Sequence, residues 1–154
     1  MKPIVYFTKE LTSEGLIKLY KKLGVTLEGN VAIKLHSGEP GNQNFIGPDF
    51  FGPIIDLVGG TVVECNTAYA GKRNTSKAHL ETFKLHGWNR FKIDLLDCEG
   101  PDLELPIENG NIIKKNYVGK NIKNYDSMLV LSHFKGHPMG GYGGALKQLS
   151  IGVA

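Results

Sequence analysis

The sequence predicts an α/β fold: a doubly wound, mostly parallel sheet with helices on both faces and a β-hairpin insertion. Three observations predict it. Short β-rich runs alternate with amphipathic segments along most of the 154 residues. SMLVLSHF (127–134) is almost continuously apolar, as in a parallel strand buried on both faces. The alternation is broken over 100–117, where LELPI and IIKKNYV read as two extended pieces joined by ENGN, a hairpin turn.

The elements follow in order. TSEGLIKLYKKLG (12–24) is an amphipathic helix with Thr12 or Ser13 as its cap, Leu16, Leu19, Tyr20 and Leu23 at helical spacing, and Gly24 as its stop. NVAIKLH (30–36) is a strand over Val31 to Leu35, and SGEPGNQNFIG (37–47) is a Gly/Asn/Pro loop. PDFFGPIIDLVGG (48–60) opens on Pro48 and closes on two glycines, as a helix does, with Gly52–Pro53 as a reason for a later start. TVVECN (61–66) is a second strand and TAYAGKRNT (67–75) a polar loop. SKAHLETFKLHG (76–87) is a helix with Leu80 and Phe83 inward, and FKIDLLD (91–97) is a third strand. VGKNIKNYD (118–126) is a short helix, 127–134 the last strand, and GGALKQLSIG (143–152) starts a final helix.

The length suits a single α/β domain over 1–154. GVA is an apolar ending where a doubly wound sheet normally continues, so a fragment or short form of a longer protein is expected. A net charge of +3 with dispersed Lys and no basic stripe argues against nucleic acid as the partner. No apolar run approaches a membrane span, and the first residues lack the pattern of a signal peptide. Two Cys make no secreted disulfide framework, so a cytoplasmic setting is the expectation. Twenty Gly, many beside charged residues, suggest loops that approach a ligand closely.

In open α/β sheets ligands sit at the carboxyl ends of the strands. Here that rim collects Lys34, His36 and Glu39 from the first strand, Cys65 and Asn66 from the second, Asp97 and Cys98 from the third. Ser132, His133, Lys135 and His137 follow the last strand, with Lys147 on the next helix. A small anionic ligand, a divalent metal or a cofactor is the expected occupant. His133, His137 and Lys147 are the catalytic candidates, the imidazoles for proton transfer and the lysine as charge or nucleophile. Lys34, His36, Glu39, Asn66, Lys135, Gly143 and Gly144 are the ligand-binding candidates. His36, His133 and His137 are the metal candidates, although H-x-x-x-H here spans Lys135-Gly136 in a loop and loses the helical geometry that suits a metal.

Each residue has a plainer reading beside this one. His36 serves equally as a hydrogen-bonded strand end, and Cys65 and Cys98 as inert thiols rather than soft ligands. His79 and His86, seven apart on a helix, read as solvent-facing or helix-terminal. GGYGGALK (140–147) places glycine N–H groups at a helix start, beside Lys147, which suits a phosphate or carboxylate. It also reads as a tight turn that needs small residues.

VAIKLHSGEPGNQNFIGPDFFGPIIDLV, ECNTAYAGKRN and above all LSHFKGHPMGGYGGALKQLSIG resemble the family known as domain of unknown function 362. The resemblance runs from about Asn30 to Ala154. It implies an iron–sulfur connection, since longer members carry a ferredoxin-like segment with C-x-x-C-x-x-C-x-x-x-C. This chain has no such run, so the cluster ligands are absent from it. A ferredoxin-like segment or a redox partner is then an implied neighbour, and a non-catalytic scaffold for such a partner is the alternative to a ligand-binding or enzymatic role. GGYGGALK is also similar to the glycine turn of nickel-pincer lactate racemases, whose anchoring lysine would correspond to Lys147.

Overall fold

The structure is a computed structural model that describes residues 2–153. Four parallel strands form its centre: β1 (Val31–Lys34), β2 (Thr61–Glu64), β3 (Ile93–Leu95) and β6 (Ser127–Val130), in the order β3-β2-β1-β6. Ile33 lies level with Val62 on one side and with Leu129 on the other. The α/β class expected from the alternation is the one observed.

Local chemistry explains the helices. In α1 (Ser13–Leu23) the Thr12 hydroxyl accepts the Gly15 N–H at 3.0 Å, and Gly24 closes the helix at φ 64°. In α2 (Pro48–Val58) proline occupies the first turn and Gly59 ends the helix. The helix runs unbroken through Pro53, which has no N–H for the carbonyl one turn back. That carbonyl belongs to Asp49, and Ser13 Oγ reaches it at 3.4 Å and the adjacent Phe50 carbonyl at 2.8 Å, so α1 supplies a donor where α2 lacks one.

The three helices α1, α2 and α3 (Ser76–Leu85) contribute to one core on one face of the sheet, where Val31, Ile33, Leu35 and Val62 meet Phe51, Ile54, Ile55, Phe83 and Trp88. The other face is covered more thinly. Ala32, Val63 and Leu96 pack there against Ile122 of a 3₁₀ turn, Tyr125, Met128 and the C-terminal Val153. The consecutive crossovers β1–β2–β3 put their helices on the same side, and the chain returns across the opposite face to reach β6.

The hairpin insertion is present. β4 (Leu103–Pro106) pairs antiparallel with β5 (Lys115–Val118), and the turn between them holds Asn109 at φ 57°. Four expectations need correction. The last strand is shorter than 127–134 and half-buried throughout, because β6 is an edge strand with β1 as its one neighbour. GGYGG does not open a helix: β7 (Lys135–His137) and β8 (Gly141–Gly143) form a second hairpin, and α4 (Ala145–Ser150) starts after it. Leu80 is exposed, because the inward stripe of α3 runs through His79, Thr82 and Phe83. His79 is accordingly not solvent-facing but fully buried, whereas His86 does sit at the helix end.

Candidate functional site

The strand order places a topological switch point between β1 and β6. From β1 the chain moves outward through β2 and β3, whereas β6 lies on β1's other side. Ligands in open α/β sheets favour the crevice at such a point, beyond the carboxyl ends of the strands. A small cavity lies there. His36 from the end of β1, His133 and Lys135 from beyond β6, and Asn42 and Asn44 from the loop after β1 supply its polar wall, and Phe45, Ile46, Phe51 and Leu131 its apolar wall. Among the described residues no carboxylate lines it. Its volume is about 10 Å³, room for roughly one water molecule.

The donors are partly set. The Gly38 N–H donates to His36 Nδ1 at 3.2 Å, so the neutral ring carries its proton on Nε2. Burial holds His36 down at about pH 4, against the pull of the Glu64 carboxylate, so the ring is neutral at pH 7. Asn44 N–H donates to Asn42 Oδ1 at 2.8 Å, which leaves the Asn42 amide NH₂ as that side chain's remaining donor group.

Behind His36 lies a buried polar cluster centred on Glu64, the last residue of β2. One carboxylate oxygen, Oε1, accepts the Ser37 N–H in a short bond and stands 3.9 Å from His36 Nδ1. The other, Oε2, accepts from Arg73 Nη1 at 2.9 Å and from His79 Nε2 at 3.1 Å. Burial opposes ionisation of Glu64, but the His79 bond and the charges of Lys34 and Arg73 prevail and hold its carboxyl down at about 2. Arg73 also forks onto Glu39, which accepts from Tyr69 Oη at 3.0 Å. The Ser37 carbonyl takes two donors, His86 Nδ1 at 2.8 Å and Trp88 Nε1 at 3.1 Å. The turn 36–38 is therefore fixed from both sides by buried groups. Ser37 Oγ is fully buried and has no hydrogen-bond partner among the described residues.

The structure brings some of the expected site residues together and separates others. His36, His133 and Lys135 come together on the cavity wall. The stems of Lys135 and Lys147 flank Gly143, within 4.0 Å of the position a Cβ would take there, so these two cations share one side of the rim. Gly144, extended at φ −179°, precedes α4, which is only six residues long. Glu39 and Asn66 serve the scaffold. Glu39 is engaged by Arg73 and Tyr69, while the Asn66 backbone N–H donates to Asp97 and its side chain bonds Ser76 and faces His79.

Lys34 lies beneath the rim, on the thin face of the sheet. It is 3% exposed, and its Nζ donates to the Leu35 carbonyl at 2.8 Å. Burial lowers its pKa, with the Glu64 charge opposing. His137 bonds its own turn, its Nδ1 accepting from Gly140 N at 3.0 Å. Among the described residues no three His, Cys, Asp or Glu side chains gather as a metal site, so His36, His133 and His137 do not form a ligand set. Burial, and then the Asp97 charge, push the Cys65 thiol up to about 12, which agrees with the inert reading. Cys98 is exposed.

Sequence reasoning missed Glu64 and the burial of His79, and with them the fixing of the turn 36–38. A charged residue ending the β-rich run TVVE was the available signal. No helix among the described residues is long and apolar enough to cross a membrane. Residues 31–154 match the family described as Domain of unknown function (DUF362). No curated protein and no solved structure matches the chain.

Proposed function

The chain belongs to the domain of unknown function 362 family, and we propose that its α/β domain binds a small oxyanion, a phosphate or carboxylate group, in the crevice between the ends of β1 and β6. The observation that carries this reading is a cavity at the switch point whose polar wall is made of imidazoles, amides and a lysine, with no carboxylate among the described residues. Neutral His36 donates from Nε2, Lys135 supplies charge with Lys147 beside it, and the asparagine amides complete the donor set. Glu64 keeps the turn that carries His36 in place, so the donors are held before the ligand arrives. Of the imidazoles on the wall, His133 is the residue for proton transfer to a bound carboxylate or phosphate.

Calorimetric titration with inorganic phosphate, and separately with acetate, tests the proposal. One saturable site is expected for at least one of the two anions, weakened about tenfold in Lys135→Ala, the loss expected for one charged hydrogen bond. Affinity should also fall as salt rises. Absence of binding by both anions, or affinity indifferent to Lys135→Ala and His133→Ala, would reject the reading.

A further inference from the structure

We propose that the oxyanion is the head of a larger molecule, and that this molecule carries a planar aromatic group which lies along the far side of Phe45. The inference rests on the binding reading above and names the class of ligand for the same site. A cavity of about 10 Å³ admits one oxygen of the phosphate or carboxylate, so the rest of the head group and of any organic ligand must lie in the crevice outside it. An open groove of about 570 Å³ adjoins it, and Phe45 lines both spaces. That volume is of the size that small-molecule sites occupy.

The groove wall sets a fixed aromatic face beside two charged groups, the Asp49 carboxylate and the Arg90 guanidinium. The Phe45 ring stacks on His86 with centroids 4.4 Å apart and planes 29° apart. His86 is anchored in turn, its Nδ1 donating to the Ser37 carbonyl at 2.8 Å. Gly38, at φ +97°, makes the close packing possible: a Cβ there would stand 2.7 Å from the Phe45 ring. Pro48 and the exposed Leu85 extend the wall, and Arg90 closes it with its guanidinium 4.4 Å from the Phe91 ring centroid. Such a surface suits offset stacking of a planar ring. The same turn, 36–38, sets both His36 at the cavity and His86 at the groove, so head and ring are held in one geometry. An aryl phosphate or aryl carboxylate fits this arrangement; a simple alkyl phosphate leaves the groove empty.

Methyl phosphate and phenyl phosphate, titrated side by side into the full chain, read out the ring's share. Phenyl phosphate is expected to bind about tenfold tighter. Phe45→Ala should abolish that preference, and Phe45→Tyr should retain it. If Phe45→Ala does not fold, Leu85→Ala, at an exposed position, should reduce the preference without touching the core. Equal binding of the two esters by the unaltered chain overturns the inference and leaves the oxyanion site standing. Phenyl phosphate binding that depends on Phe45 but ignores Lys135→Ala overturns the oxyanion site and keeps the aromatic groove. Binding of neither ester overturns both.

Discussion

At the end of β2, Glu64 and Arg73 are buried and engaged on several sides, whereas beyond the end of β6 Lys135 is exposed and His133 and His137 are half-buried on a small hairpin. Both regions are rich in titratable groups and both reach the same rim. The difference lies in what their hydrogen bonds do. Glu64 receives bonds from Ser37, Arg73 and His79, which lie on three separate segments, so its carboxylate ties the loops after β1 and β2 to α3. Among the described residues the hairpin side has no such hub, and its cations Lys135 and Lys147 flank Gly143. One side is scaffold and the other faces a ligand. A charge that the fold uses internally is a poor candidate for binding, however well placed it looks in the sequence.

The largest test of this contrast is Glu64→Ala. It leaves Arg73 and Lys34 without the buried negative charge between them and strips the Ser37 N–H of its acceptor. Removing one partner of a buried ion pair costs about 3–5 kcal/mol, a large fraction of a domain's stability. Urea unfolding followed by circular dichroism should show that loss. A cost under about 1 kcal/mol, the value of a surface pair, would place Glu64 outside the scaffold.

A smaller effect is expected from acid, and the signs for two groups agree. His36 has a folded pKa of about 4, below its ordinary 6.5, so the fold prefers the neutral ring and loses stability as pH falls from 6.5 towards 4. Glu64 has a folded pKa of about 2, below its ordinary 4.5, so its contribution is complete above 4.5 and is lost as pH falls towards 2. Unfolding midpoints measured between pH 7 and 2.5 should therefore decline through two overlapping windows. His36→Gln should flatten the upper window and spare the lower one. A midpoint that stays level from pH 6.5 to 4 in the unaltered chain would contradict the neutral state of the half-buried His36.

Much of the fold was legible because strands and helices announce themselves by pattern. Thr12, Gly24, Pro48 and Gly59 mark helix ends, and the ENGN turn marks the hairpin β4–β5. The second hairpin was not legible. Its strands KGH and GYG have no alternation to read, since glycines fill half their positions. His133 and Lys135 were legible as rim residues because they directly follow an apolar run. Glu64 was not, because a glutamate in a strand reads as solvent-facing until Arg73 and His79, 9 and 15 residues later, return to cover it. His79 was hidden for the same reason. Its helix was read through Leu80, and a one-position shift of the inward stripe turns a surface histidine into a buried one.

The smallest expected effect comes from Lys135→Ala, and it separates the two regions most cleanly. Lys135 is exposed in a short strand of the peripheral hairpin, paired through its backbone with Gly143. Truncating its side chain keeps that backbone pairing and uncovers no core. An exposed substitution of this kind changes stability by no more than about 0.5 kcal/mol. The urea midpoint should therefore match that of the unaltered chain even where calorimetry shows the phosphate site weakened. A substantial loss of stability would show that the hairpin is part of the scaffold. The contrast between a region that holds the fold and a region that offers charge would then fail at its simplest point.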